Sequence, residues 1–314
     1  MCCDRVVSPL LERIAGLRAV MVTGKGGVGK TTVTATLARL LAASGKRVLC
    51  GEIAADQETS SPLMAALTGE GTSAIEPVEV LPGIATVVLQ PTRGHHAFLR
   101  DSLKIHVLAN AAMRSQVIRR FLLAAPTFPE LGILYRVLEL ERERLPGGRH
   151  VWDTILLDLP ATGHALALAQ IPASILRIIP GGPIVEAVRE GLRVLRDPAQ
   201  AGAVIVTLPE TLPVSEALEL AAGLVKHEIP LAGFVLNRIP VDPFDPGERE
   251  AVRAHAATVG PLLGMRSLDR IERARAALER LSRGISVPWI TLAEAWEEGP
   301  ALPVHLTEIL GGDP

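Results

Sequence analysis

The chain has 314 residues, a formal charge of −2 and 48% apolar residues. That length buries a large core and suits one α/β domain spanning residues 1–314. The near-neutral balance speaks against a nucleic-acid coat or a disordered tail, so no nucleic-acid partner is expected. Three cysteines, Cys2, Cys3 and Cys50, give no framework for disulfides or a metal. With no signal-type segment and no run of about eighteen apolar residues, a cytoplasmic protein is expected, touching membranes at most peripherally.

Residues 1–17 read as a lead-in helix, and Ala19 to Val22 as a buried strand. The stretch Gly24-Lys25-Gly26-Gly27-Val28-Gly29-Lys30-Thr31-Thr32 follows it and opens a helical pattern at Val33, Leu37, Leu40 and Leu41. This is G-x-x-x-x-G-K-[ST] in the strand–loop–helix setting the motif requires. Glycines at 24, 26, 27 and 29 let backbone N–H groups, with those of Val28 and Thr32, turn around phosphate oxygens at a helix N-terminus. Lys30 neutralises β/γ-phosphate charge in such a loop, and the Thr31 hydroxyl ligates Mg²⁺. A nucleoside phosphate with Mg²⁺ is therefore expected.

Arg47 to Gly51 predicts the second strand, with the core residue Cys50, and it ends at Glu52. A polar, punctuated loop from Ile53 to Ser61 contains Asp56, and Ser61-Pro62 starts a short helix to Leu67. Pro82 to Leu89 alternates like a strand. The pattern then turns helical, and we expect a helical insertion over about 94–150. Its Arg100, Lys104, Arg114, Arg119 and Arg120 are interleaved with apolar residues, as on an ordinary solvated face. Strand patterns resume at Thr154 to Leu157, Ala203 to Thr207, Leu231 to Leu236 and Val287 to Thr291, separated by helical ones such as Val214–Lys226 and Ser267–Leu281. Alternation of apolar strands with helices predicts a doubly wound, mostly parallel sheet, α/β in class.

Ile155-Leu156-Leu157-Asp158 is an apolar strand ending in a carboxylate. Asp158 is placed beside the phosphate loop, where it would hold Mg²⁺ through water. Asn237 ends another apolar strand, and its amide offers both a donor and an acceptor to a ligand. A turn residue before Pro240 is the other reading of Asn237.

Lys25-Gly26-Gly27-Val28-Gly29-Lys30-Thr31-Thr32 resembles the deviant Walker A loop of the dimeric MinD/ParA/ArsA/nitrogenase-reductase ATPases. Asp158-Leu159-Pro160-Ala161-Thr162-Gly163-His164-Ala165-Leu166 closely resembles the switch II run D-T-A-P-T-G-H-T-L of the ArsA type, which includes the arsenite-pump and tail-anchored-protein-targeting ATPases. Val206-Thr207-Leu208-Pro209-Glu210 with Ser215-Glu216-Ala217, and Phe234-Val235-Leu236-Asn237-Arg238, resemble two further segments of that type. The specific likeness covers residues 18–60 and 154–240. It implies a P-loop ATPase acting as a homodimer or as a heterodimer with a paralogue. It also implies that Lys25 reaches the partner's nucleotide, that Asn237 reads adenine, and that a protein client is handled.

The departures are specific. Switch I of the family reads D-P-A-H, whose Asp orients the attacking water; here Glu52 or Ala54 aligns there, and Asp56 serves if the loop is two residues longer. We take Asp56 as the hydrolytic carboxylate, with Glu52 as its competitor or as a group near Mg²⁺. Metalloid-binding and cluster-binding cysteines are missing, which argues against metalloid transport and electron transfer. Two alternatives stand beside the ArsA-type reading. One is a MinD/ParA-like spatial organiser, disfavoured because residues 300–314 lack Lys and Arg. The other is a weakly hydrolysing subunit paired with an active paralogue.

Overall fold

In the computed structural model the described residues are 8–56, 58, 60–103, 128–160, 183–260 and 264–311. The switch II run from Ala161 onward, Cys2-Cys3 and the middle of the insertion, 104–127, lie outside them. Among the described residues eight strands make one sheet, in the order β3-β4-β2-β5-β1-β6-β7-β8. These are β1 (Ala19–Gly24), β2 (Val48–Ile53), β3 (Val78–Leu81), β4 (Ile84–Leu89), β5 (Thr154–Asp158), β6 (Ala201–Thr207), β7 (Leu231–Ile239) and β8 (Trp289–Ala293). All neighbours run parallel except β3, which pairs antiparallel with β4 at the edge.

Helices cover both faces, which is why β1, β4, β5 and β6 are buried along their whole length. On one face lie α1 (Pro9–Gly16), α2 (Lys30–Ala43) and α3 (Pro62–Thr68). Their Ile14, Leu37, Leu41 and Leu63 pack on Val20, Val22 and Leu156. Successive strand residues alternate faces, so Met21 and Leu157 turn to the opposite core. There they meet α5 (Phe128–Arg142), α6 (Pro183–Arg196) and α7 (Thr211–Lys226). The doubly wound fold is as expected.

The insertion begins at α4 (Pro91–Leu103), three residues ahead of the expected boundary, and continues in α5. These two helices meet backbone to backbone. A Cβ added at Gly94 would lie 1.7 Å from the Gly132 carbonyl oxygen, and one at Gly132 would lie 2.3 Å from the Pro91 oxygen. Phe98 packs edge-on against Tyr135 at 5.3 Å, and the Arg142 guanidinium stands over the same Tyr135 ring at 5.8 Å. Buried Arg136 bridges Glu76 at 2.6 Å and Glu139 at 2.5 Å, tying the loop before β3 to α5.

Three elements had escaped the sequence reading. The β3 edge strand is only half-buried and too short for a clear alternation. Helix α8 (Pro246–Val259) buries only Arg249, so it lacks an apolar stripe, although Asp245 and Glu248 form a capping box. The helix that follows it, α9 (Met265–Gly284), carries the expected apolar face. At the C-terminal end α10 (Ala301–Gly311) packs on α2. Among the described residues no helix is long and apolar enough to cross a membrane.

Gly94→Ala is expected to lower stability by about 1–3 kcal/mol, since the added methyl must push two backbones apart. Denaturant unfolding measures it, and a parent-like midpoint would refute the crossing.

Candidate functional site

The phosphate loop leaves β1, the strand flanked by β5 and β6 at the centre of the sheet, at its C-terminal end. Open α/β sheets bind ligands there. Gly24 has φ +148°, and a Cβ on it would sit 2.2 Å from the Val206 oxygen, so only glycine lets the loop start against β6. Gly29 caps α2 with φ +92°, and there a Cβ would meet the Asn237 amide nitrogen at 2.3 Å. At Gly26 and Gly27 an added Cβ meets nothing within 4 Å. The loop is thus clamped at both ends and open along its middle, the shape a phosphate chain fits.

The clamp at the far end is Asn237. It is 6% exposed, its Nδ2 donates to the Val28 oxygen at 2.9 Å, and its Oδ1 accepts from the Arg238 amide at 3.0 Å. This amide therefore secures the loop to β7, with one N–H and one lone pair left for a ligand. Just beyond it a recess of about 440 Å³ opens between Leu208, Pro209, Arg238, Pro240, Arg270 and Glu294. The Arg270–Glu294 pair, joined by bonds of 2.8 and 2.9 Å, forms part of its wall.

Three of the expected residues converge. Thr31 Oγ1 donates to Asp158 Oδ2 at 2.6 Å. Thr34, one turn on, donates to the Lys30 carbonyl at 3.0 Å and reaches Asp158 Oδ1 at 3.5 Å. Burial pushes the Asp158 carboxyl up to about 6, against the pull of Thr31, Lys30 and Thr34. Burial likewise lowers Lys30, against the pull of Asp158. The Lys30 ammonium donates to the Lys25 carbonyl at 3.0 Å, and the Lys25 ammonium pairs with Glu216 at 2.7 Å. An oxygen-rich, half-dry corner of hydroxyl and carboxylate beside a lysine suits Mg²⁺, a hard cation that takes oxygen ligands.

The two switch I candidates stand apart. Glu52 lies beside Asp158 in the β2–β5 register and accepts from Ser61 Oγ at 2.6 Å. Burial raises its carboxyl to about 7, with Asp158 and Glu58 adding to the rise and Ser61 opposing it. Asp56 instead caps α4, taking the Thr92 amide at 3.2 Å and the Thr92 hydroxyl. Ser61 and Thr34 were not singled out in the sequence as parts of the site, and Glu216 stood out only within the Ser215-Glu216-Ala217 run of the family likeness. Ser61-Pro62 did signal the cap that Ser61 makes on α3.

A family described as CbiA, the CobQ/CobB/MinD/ParA nucleotide binding domain, matches residues 19–287. The chain belongs to this family. Among similar proteins is the ATPase BagA of Mycobacterium tuberculosis, 29% identical over 276 residues, covering 79% of this chain and 76% of that one. The ATPase GET3A of Arabidopsis thaliana is 27% identical over 285 residues, 77% of this chain and 72% of its own. An arsenical pump-driving ATPase of Escherichia coli is 30% identical over 226 residues, 69% of this chain but 34% of the pump ATPase. Within the family, the likeness is to the ArsA type.

Both raised carboxyls make the nucleotide-free fold more stable in acid. The contribution of Asp158 is complete below its unfolded value of 3.8 and lost as pH rises through about 6. That of Glu52 is complete below 4.5 and lost through about 7. Melting temperature is expected to fall from about pH 5 to about pH 8, and Glu52→Gln to flatten the upper part of that slope. An unchanged slope in the variant would show that Glu52 is not the titrating group.

Proposed function

We propose that this chain is an ArsA-type ATPase that binds MgATP at the phosphate loop, hydrolyses it as a dimer, and uses the cycle to rearrange the insertion helices around a protein client. The observation that carries the reading is the 2.6 Å hydrogen bond from Thr31 to Asp158. It gathers the loop hydroxyl and the strand-end carboxylate at one point beside Lys30, in the arrangement phosphoryl transfer uses.

In this reading Lys30 exchanges the Lys25 carbonyl for β/γ-phosphate oxygens. Thr31 and Asp158 would hold Mg²⁺, the latter through water, and the metal would supply charge neutralisation on the phosphates. Asn237 and the recess beyond it receive the base. Charge developing on the transferred phosphoryl group is met by Lys30 and by Lys25 of a second copy. Asp56 orients the attacking water once it lets go of Thr92, so switch I movement uncaps α4. A second reading, a weakly hydrolysing subunit paired with an active paralogue, is favoured by the engagement of Asp56 at Thr92. Single-turnover rates of Asp56→Asn and Glu52→Gln separate the two, since parent-like rates in both fit a subunit without its own hydrolytic carboxylate.

Lys30→Ala is expected to weaken MgATP binding at least tenfold by calorimetry, and a parent-like affinity would overturn the phosphate-loop assignment. Asp158→Asn should still bind nucleotide while losing most hydrolysis. For the dimer, Lys25→Ala and Lys30→Ala should each be nearly inactive, since a cation supplied in trans is worth roughly 10³–10⁵ in rate. Their mixture should recover activity through heterodimers that carry one complete site. In a parent shown to hydrolyse as a dimer and to exchange subunits, no recovery at any ratio would place Lys25 in its own site.

A further inference from the structure

Lys25 is not waiting free at the loop tip. Its ammonium lies 2.7 Å from Glu216 Oε1, a contact that spans 191 residues of chain. The topology explains it. Strand β6 pairs with β1 on the side away from β5, and α7, which follows β6, starts at the same end of the sheet as the phosphate loop. Glu216 sits in the second turn of α7, so its carboxylate is delivered to the loop. Among the described residues its other oxygen, Oε2, is buried without a hydrogen-bond partner. The contact with Lys25 is thus the charge-assisted bond this carboxylate makes among the described residues. Meanwhile the Lys25 carbonyl accepts from Lys30. Both loop lysines are thus held on acceptors within a single subunit.

We propose that Glu216 is a positioning residue for Lys25: it holds the ammonium on its own subunit and competes for it with the γ-phosphate of ATP bound to a second copy. This rests on the trans reading of Lys25. One ammonium cannot stay against Glu216 and also reach a facing nucleotide, so closure of the two copies must break this pair once in each. The side chains of Lys25 and Glu216 are 46% and 33% exposed, and a pair that open to water is weak enough to surrender its lysine to a more highly charged phosphate. A fully buried pair would not let go. Glu216 therefore sets a threshold. Without a facing ATP the lysine stays home, and a subunit meeting a nucleotide-free copy gains nothing by releasing it.

The test uses the full chain with Mg²⁺ and a slowly hydrolysed ATP analogue, measuring self-association by sedimentation. Glu216→Gln keeps the side chain's size and removes its charge, and a thermal melt confirms that the variant is folded. Because two pairs are lost per dimer, the variant is expected to associate about 2- to 30-fold more tightly than the parent. In a Lys25→Ala background the same substitution should change nothing. Association unchanged or weakened by Glu216→Gln, or strengthened equally without Lys25, overturns the proposal. A second readout needs no dimer: acetic anhydride labelling of Lys25 in nucleotide-free protein, followed by mass spectrometry. It should run about 2- to 5-fold faster in Glu216→Gln, since the amine is no longer engaged by a carboxylate. An unchanged labelling rate overturns the ion pair, and the proposal with it, while leaving the trans reading of Lys25 standing. A parent that stays monomeric with the analogue sinks the trans reading, and the competition with it.

Discussion

The hydrogen bond between Thr31 and Asp158 joins the two parts of the sequence on which the site depends, 127 residues apart. It forms because β1 and β5 are neighbours in parallel register, with Val22 opposite Asp158, so loop and carboxylate emerge at the same sheet end. The carboxylate is only 6% exposed, and burial alone would favour its neutral form. Thr31, Thr34 and Lys30 all act against that penalty. That corner is therefore short of positive charge, and a divalent cation would supply what the lysine provides only in part.

Around that corner the acidic side chains do more than one job. Glu52 is joined to the Ser61 hydroxyl, which itself caps α3 by accepting from the Met64 amide. Asp56 caps α4 directly through Thr92. Each carboxylate at the end of β2 thus also holds the start of a helix, and a helix start left without its cap is weakened. Any demand that a ligand places on Glu52 or Asp56 is felt by α3 or α4.

The sequence was most readable where local rules and tertiary surroundings agree. The phosphate loop, β5 with Asp158, and the apolar strands were legible because glycine spacing and continuous apolar runs leave few alternatives. The Ser61-Pro62 start of α3 was legible as a capping pattern. Helix α8 was not, because ion pairs such as Arg249–Asp242 and Arg253–Asp269 hold it in place of an apolar face. Nor was the contact of Lys25 with Glu216, since nothing in residue spacing announces a pair 191 positions apart. Asp56 ranked above Glu52 on its place farther into the loop, but no spacing rule shows that each carboxylate is engaged by a hydroxyl, Asp56 by Thr92 and Glu52 by Ser61.

The crossing of α4 and α5 at Gly94 and Gly132 has a mechanical consequence. Where side chains separate two helices, small rotamer changes let one slide over the other; where backbones touch, no such lubricant exists. The pair must turn as a single stiff lever, with Phe98 and Tyr135 bolting it farther along and Arg136 holding it to Glu76. A small displacement at Thr92, close to the fulcrum, would then be magnified toward the far end of the arm.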